Sequence, residues 1–169
     1  MATIHVDEIK ALARQAHTDQ RKRESLFAAL HSDDRKEAVQ AAWVLTHLPK
    51  EDNLYIAEHR EELTTLAVST SDTSLRRITL TLLERLEWTT DGEPPRYYMT
   101  LLDFCLDRMM LSDEPYGIRS LCMKLAYKIS LPYPDLLGEL RQNLMLLQPS
   151  ELGRGVQNTR KNLMKLLMQ

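Results

Sequence analysis

The chain has 169 residues and a formal net charge of −2, so it can bury a core without staples and carries no global basic field that would draw it to nucleic acid or anionic lipid. Leucine is abundant and valine rare, which favours helix over strand, and no apolar run approaches the roughly 20 residues of a membrane span. Charges run through MATIHVDEIKALARQAH, which lacks the apolar core of a signal peptide, and the cytoplasm is the expected location.

In chain order, residues 4–16 read as a short capping helix with Ile4, Ile9, Leu12 and Ala13 on its apolar side and Asp7 as an N-cap or first-turn acid. A break near His17–Asp19 leads to a helix over 20–31 that uses Leu26, Phe27 and Leu30. Ser32-Asp33-Asp34 caps a helix over 34–48, which Pro49 ends. Residues 53–69 read as one helix, and Ser71-Asp72 caps the next, DTSLRRITLTLLERL, with Leu75, Ile78, Thr79, Leu82, Leu83 and Leu86 on one face. The connector 89–95 is turn-forming and ends in two prolines. Helices then follow over 96–111, 114–130 and 134–147, and a last one runs from near Gly153 or Gly155 to Met168. No segment alternates strictly, so no sheet is expected.

Short loops pair these helices into hairpins at about 20–48, 53–86, 96–130 and 134–168, within one domain spanning 1–169. Aligning the second helix of each, Ala38, Leu75, Ile118 and Thr159 open the buried stripe, with Ala42, Thr79, Cys122 and Leu163 four residues on and Leu45, Leu82, Leu125 and Leu166 seven on. The openings lie 37, 43 and 41 residues apart, close to the roughly 40–47 of two-helix solenoid repeats. Arg follows the opening in three copies (Arg76, Arg119, Arg160), and an acid stands upstream in three (Asp33/Asp34, Asp72, Asp113/Glu114).

With aliphatic-Arg after an upstream Asp and then a small residue and Leu, residues 20–168 resemble the HEAT-repeat family, most clearly at Ile56–Leu86, IAEHREELTTLAVSTSDTSLRRITLTLLERL. The resemblance implies an all-α, right-handed α-α superhelix of about four hairpins with an extra N-terminal helix. It further implies that the second helices line a concave side that binds partner proteins or peptides. Each hairpin has one apolar stripe that it cannot bury alone, so stacking of neighbours is also the physical expectation. A plain helical bundle is the competing fold.

Motifs that carry chemistry are sparse. The five histidines (His5, His17, His31, His47, His59) form no i, i+4 pair with one another or with Cys, and HREE at 59–62 is not a zinc-binding His-Glu-x-x-His. Cys105 and Cys122 occupy stripe positions on the two helices of one hairpin and read as buried, inert thiols that lie close together. There is no nucleophile elbow, P-loop or glycine-rich dinucleotide motif, and Glu61-Glu62 and Glu84/Glu87 read as solvated acids. No catalytic residue, cofactor or metal is assigned. The repeat arginines are expected to form a structural ladder that reaches an acid or helix end in the adjacent repeat.

Five residues past each opening stand Trp43, Leu80, Met123 and Met164, large and apolar in every copy. Neighbouring outward positions add Arg77, Lys124, Tyr127, Lys161 and Lys165, with positive charge accumulating towards the C-terminus. If exposed, these nine residues form a ridge that binds a segment of another protein, apolar contact coming from Trp and Met and charge from Lys. The competing reading is that the apolar row fills the seam between adjacent second helices. Leu163, Met164, Leu166, Leu167 and Met168 leave the terminal helix unusually apolar, which suggests a contact with a partner or a second copy unless helix 134–147 covers it.

The sequence therefore points to a non-enzymatic scaffold or adaptor that binds protein. The alternative is a nucleic-acid-binding relative of the DNA-alkylation-repeat glycosylases, with the C-terminal basic residues on phosphate and Trp43 or Tyr127 stacking on bases. The shorter chain, its negative net charge and the lack of an identifiable catalytic Asp argue against that alternative.

Overall fold

The structure, a computed structural model, describes residues 5–169, so Ile4 lies outside the described residues. Ten α-helices and no strand occur among the described residues, and the chain divides into two compact units, Met1–Leu86 and Glu87–Gln169.

The first unit contains α1 (Val6–His17), α2 (Gln20–Ala29), α3 (Arg35–Thr46), α4 (Asn53–Ala57), α5 (Arg60–Ser69) and α6 (Thr73–Glu84). Aspartates start three of them: Asp19 accepts from the Arg21 and Lys22 amides, Asp34 from Lys36, and Asp72 from Leu75 at 2.8 Å. Asp7 lies in the first turn of α1. α2 packs on α3, α5 on α6, and α3 lies beside α6, while α1 touches both α2 and α3. The stripe residues Ala38, Ala42, Leu45, Leu75, Leu82 and Leu83 are buried, each leucine contributing about 2 kcal/mol of burial free energy. Thr79 is also buried, and its hydroxyl donates to the Leu75 carbonyl at 2.7 Å, which removes the penalty of a polar group in the stripe.

The segment 53–69 is not one helix. A turn at Glu58-His59 separates α4 from α5, after a 3-10 turn at Lys50–Asp52. No glycine or proline causes the break. The His59 ring instead stacks on Phe27, ring centres 3.6 Å apart, and its Nδ1 meets Glu62 at 2.8 Å. Contacts with a helix far away in sequence thus override local helix propensity.

The second unit contains α7 (Arg96–Arg108), α8 (Tyr116–Ser130), α9 (Pro134–Leu146) and α10 (Arg154–Leu167). α7 packs on α8, α9 on α10 and α8, and α10 lies beside α8. Leu101, Leu102 and Cys105 of α7 are buried, as are Ile118, Cys122, Leu125 and Ile129 of α8. In the connector, Gly92 takes φ +93°, a left-handed conformation that suits glycine. Trp88 anchors the start of this unit, buried edge-to-face against Tyr98 with centroids 4.9 Å apart. Gly153 is the N-cap of α10, where a Cβ would fall 2.8 Å from the Tyr116 ring, so the bare backbone lets that ring lie across the helix start.

Candidate partner-binding surfaces

The repeat arginines explain how three of the four hairpins are closed. Arg76 of α6 donates from Nε to the Ala67 carbonyl at 2.8 Å and from Nη2 to the Thr70 carbonyl, at the C-terminal end of α5. Arg119 of α8 does the same for α7 through the Met109 carbonyl at 3.0 Å, and Arg160 of α10 for α9 through the Leu144 carbonyl at 2.7 Å. The role is structural, as expected, but the direction is corrected. The guanidinium caps the first helix of its own hairpin, where carbonyls left without intrahelical donors carry the negative end of the helix dipole. Arg23 of α2 likewise donates to the Ala16 and His17 carbonyls ending α1.

Other residues join neighbouring repeats. Arg35 at the start of α3 pairs with Asp72, the N-cap of α6. At the opposite end Arg85 donates to the Thr46 and Pro49 carbonyls and to Asn53 Oδ1, at 3.1, 3.3 and 2.6 Å. The two clasps hold α3 and α6 side by side.

Between those clasps lies a groove of about 370 Å³, lined by Val39, Trp43 and Thr46 of α3 and Ser74, Arg77, Ile78 and Thr81 of α6. The Thr46 and Thr81 hydroxyls are occupied by the backbone carbonyls of Trp43 and Arg77, at 2.6 and 2.8 Å. Arg77 is exposed, and its guanidinium has no ion-pair partner among the described residues. The lining contains no carboxylate. It therefore presents a half-buried indole, aliphatic walls and one available cation.

Of the nine proposed contact residues, Trp43 and Arg77 come together in this groove. Leu80 and Met123 do not form an exposed ridge: both are fully buried. The cause is a second buried stripe one residue after the first. Arg76, Leu80 and Leu83 on α6, and Arg119, Met123 and Ala126 on α8, follow i, i+4, i+7 spacing and are all buried. Met164 and Tyr127 are half-buried, while Lys124, Lys161 and Lys165 are exposed. Val39, Thr46, Ser74, Ile78 and Thr81 are not among those nine. Their signal is position alone, on the facing flanks of two second helices.

Elsewhere, Glu62 bridges His31 at 2.5 Å and His59 at 2.8 Å. Burial alone would raise its carboxyl, but hydrogen bonds from the two imidazoles and their charges outweigh it and hold the pKa below the ordinary 4.5. His17 meets Asp52 at 2.8 Å. No group of three or more His, Cys, Asp or Glu placed to hold a metal occurs among the described residues. The Cys105 and Cys122 thiols are free and fully buried; burial, then a hydrogen bond to Cys122, pushes the Cys105 pKa up. At the C-terminal end Leu163 is buried but Leu166 and Met168 are exposed, as are Leu131, Met145 and Leu146. Helix α9 thus covers only part of the apolar surface of α10.

The HEAT repeat domain family model matches residues 1–167. The chain belongs to the HEAT-repeat family. The paired helices, the side-by-side second helices within each unit and the capping arginines are the features by which this HEAT-repeat chain is built. Comparison with curated proteins and with solved structures gives no match. No helix among the described residues is long and apolar enough to cross a membrane.

Proposed function

We propose that this HEAT-repeat chain is a non-enzymatic scaffold that binds a partner protein on its second helices. The reading rests on the α3–α6 groove, where Trp43 and the unpaired Arg77 share one concavity. Its occupant is an extended peptide segment carrying an apolar side chain for the indole and a carboxylate for Arg77. Charge complementarity selects that chemistry, since the lining offers a cation and no acid. The same lining disfavours base excision in the groove, because no carboxylate there could serve as the catalytic acid or base.

Peptide display against the full chain tests this, with each enriched peptide re-measured on Trp43→Ser and Arg77→Glu variants. Enriched peptides should share an acid and an apolar residue and weaken by about tenfold or more on both variants, as for a central aromatic or Arg contact. Melting temperatures should stay close to wild type, because Trp43 is only half-buried and Arg77 is exposed. Peptides that bind wild type and both variants equally, or a failure to enrich any, would overturn the proposal.

A further inference from the structure

The charges of the second unit are sorted by helix. Helices α8 and α10 contain no Asp or Glu, whereas their hairpin partners carry Asp103 and Asp107 on α7 and Asp135 and Glu139 on α9. Capping accounts for only Arg119 and Arg160. Lys124, Arg154, Lys161 and Lys165 remain exposed, and none has an ion-pair partner among the described residues.

Lys161 and Lys165 stand one helical turn apart, with Cβ atoms about 6 Å from each other, a spacing at which like charges destabilise the helix that carries them. In the repeat register they correspond to Ser120 and Lys124 of α8, and Met168 corresponds to Tyr127. Along α10 the lysines therefore alternate with half-buried Met164 and exposed Met168, while Tyr127 of α8 lines a pocket with Leu137, Arg141, Leu166 and Leu167. The Met164 and Met168 thioethers offer adaptable apolar contact beside the cations.

We infer that the α8–α10 face binds an acidic amphipathic segment of a partner protein. Carboxylates one turn apart on that segment meet Lys161 and Lys165, and its apolar side chains rest on Met164 and Met168. The inference depends on the proposed function, since it takes the second helices as the binding surface, and it gives the partner a chemistry. Nucleic acid fits less well. Four exposed cations are fewer than the roughly 6–10 phosphate contacts of a typical duplex-binding surface, and apolar side chains alternate with them.

The test uses the full chain and a fluorescein-labelled helical peptide of about 20 residues, with Glu at i, i+4 positions and Leu on the adjoining flank. Controls are the same peptide with Gln for Glu and a duplex DNA of similar length. Anisotropy titrations should show the acidic peptide bound and the Gln peptide at least about tenfold weaker. A Lys161→Gln/Lys165→Gln variant should lose about five- to tenfold, the fold-change expected from two exposed ion pairs. Running the same titrations on the Trp43→Ser/Arg77→Glu variant removes the α3–α6 groove as a second site for this probe, so that a remaining loss on Lys161→Gln/Lys165→Gln reports the second unit. The inference is overturned if the Gln peptide binds equally, or if the lysine double variant binds unchanged. Duplex DNA that binds more tightly, with affinity falling steeply with salt, would also overturn it and assign the face to nucleic acid. Failure of the acidic probe while display still yields groove peptides removes this inference alone; failure of both removes the binding reading as well.

Discussion

Replacing Arg76 tests how a hairpin holds together. The side chain is 8% exposed and donates to the Ala67 carbonyl at 2.8 Å, to Val68 at 3.5 Å and to Thr70. Hydrogen bonds from a charged donor contribute about 1.5–3 kcal/mol, and a cation at a helix C-terminus adds about 0.3–1 kcal/mol. The Val68 contact is too long to count fully, and removing the guanidinium relieves part of its own desolvation cost. Arg76→Met should therefore destabilise the first unit by about 2–4 kcal/mol. Arg76→Lys keeps the charge but not the planar fork, and should recover less than half of that loss. Arg119→Met, with a single carbonyl at 3.0 Å, should cost less, and half-exposed Arg160 least. Urea unfolding followed by tryptophan fluorescence is the assay, because Trp43 lies in the first unit and Trp88 in the second; Trp88→Phe isolates the first. The midpoint should fall with the slope unchanged. An Arg76→Met change within about 0.5 kcal/mol of wild type, the range of an ordinary surface substitution, would refute the capping role.

Two further outcomes follow from titratable groups. Glu62 and Asp72 both have folded pKa values held below their ordinary 4.5 and 3.8: burial raises each, and bonds from His59 and His31, or from the Leu75 amide and Arg35, outweigh it. A depressed carboxylate stabilises the fold above its unfolded pKa, and that contribution is lost as pH falls through the folded value. Stability should thus decline below about pH 4.5, and Glu62→Gln should flatten that decline; an unchanged acid limb in urea midpoints taken against pH would refute the bridging role. The Cys105 and Cys122 thiols, fully buried and with Cys105 disfavoured as a thiolate, should ignore a chromogenic disulfide reagent in the native protein and react together in denaturant. Rapid native reaction would show that the α7–α8 core opens readily.

Local chemistry made the helices legible. Asp34 and Asp72 cap, and Pro49, Pro95 and Pro134 sit at helix ends, so the boundaries follow from residues within a few positions of one another. The break at Glu58-His59 was not legible, because it depends on Phe27, which no window around His59 contains. The capping direction of the arginines was hidden for a related reason. Spacing places Arg76 beside the stripe but does not say whether the neighbour there is α5 or the next repeat. At the candidate groove, Trp43 and Arg77 were found because size and charge mark them, while Ser74 and Thr81 carry no mark apart from position.

Burial of Leu80 and Met123 also changes where function can be sought. Helices α6 and α8 each use two adjacent stripes for folding, one led by Leu75 or Ile118 and one by Arg76 or Arg119, and only the remaining third turns away from the core. On α6 that third holds Arg77 and Thr81, which line the α3–α6 groove, and half-buried Glu84. On α8 and α10 it holds lysines and apolar side chains without one acid. Solubility alone is served as well by acids as by lysines, and helix stability is better served by alternating signs. Folding therefore gives no reason for an acid-free face in a unit whose other helices carry acids freely. The negatively charged partner inferred for this face would.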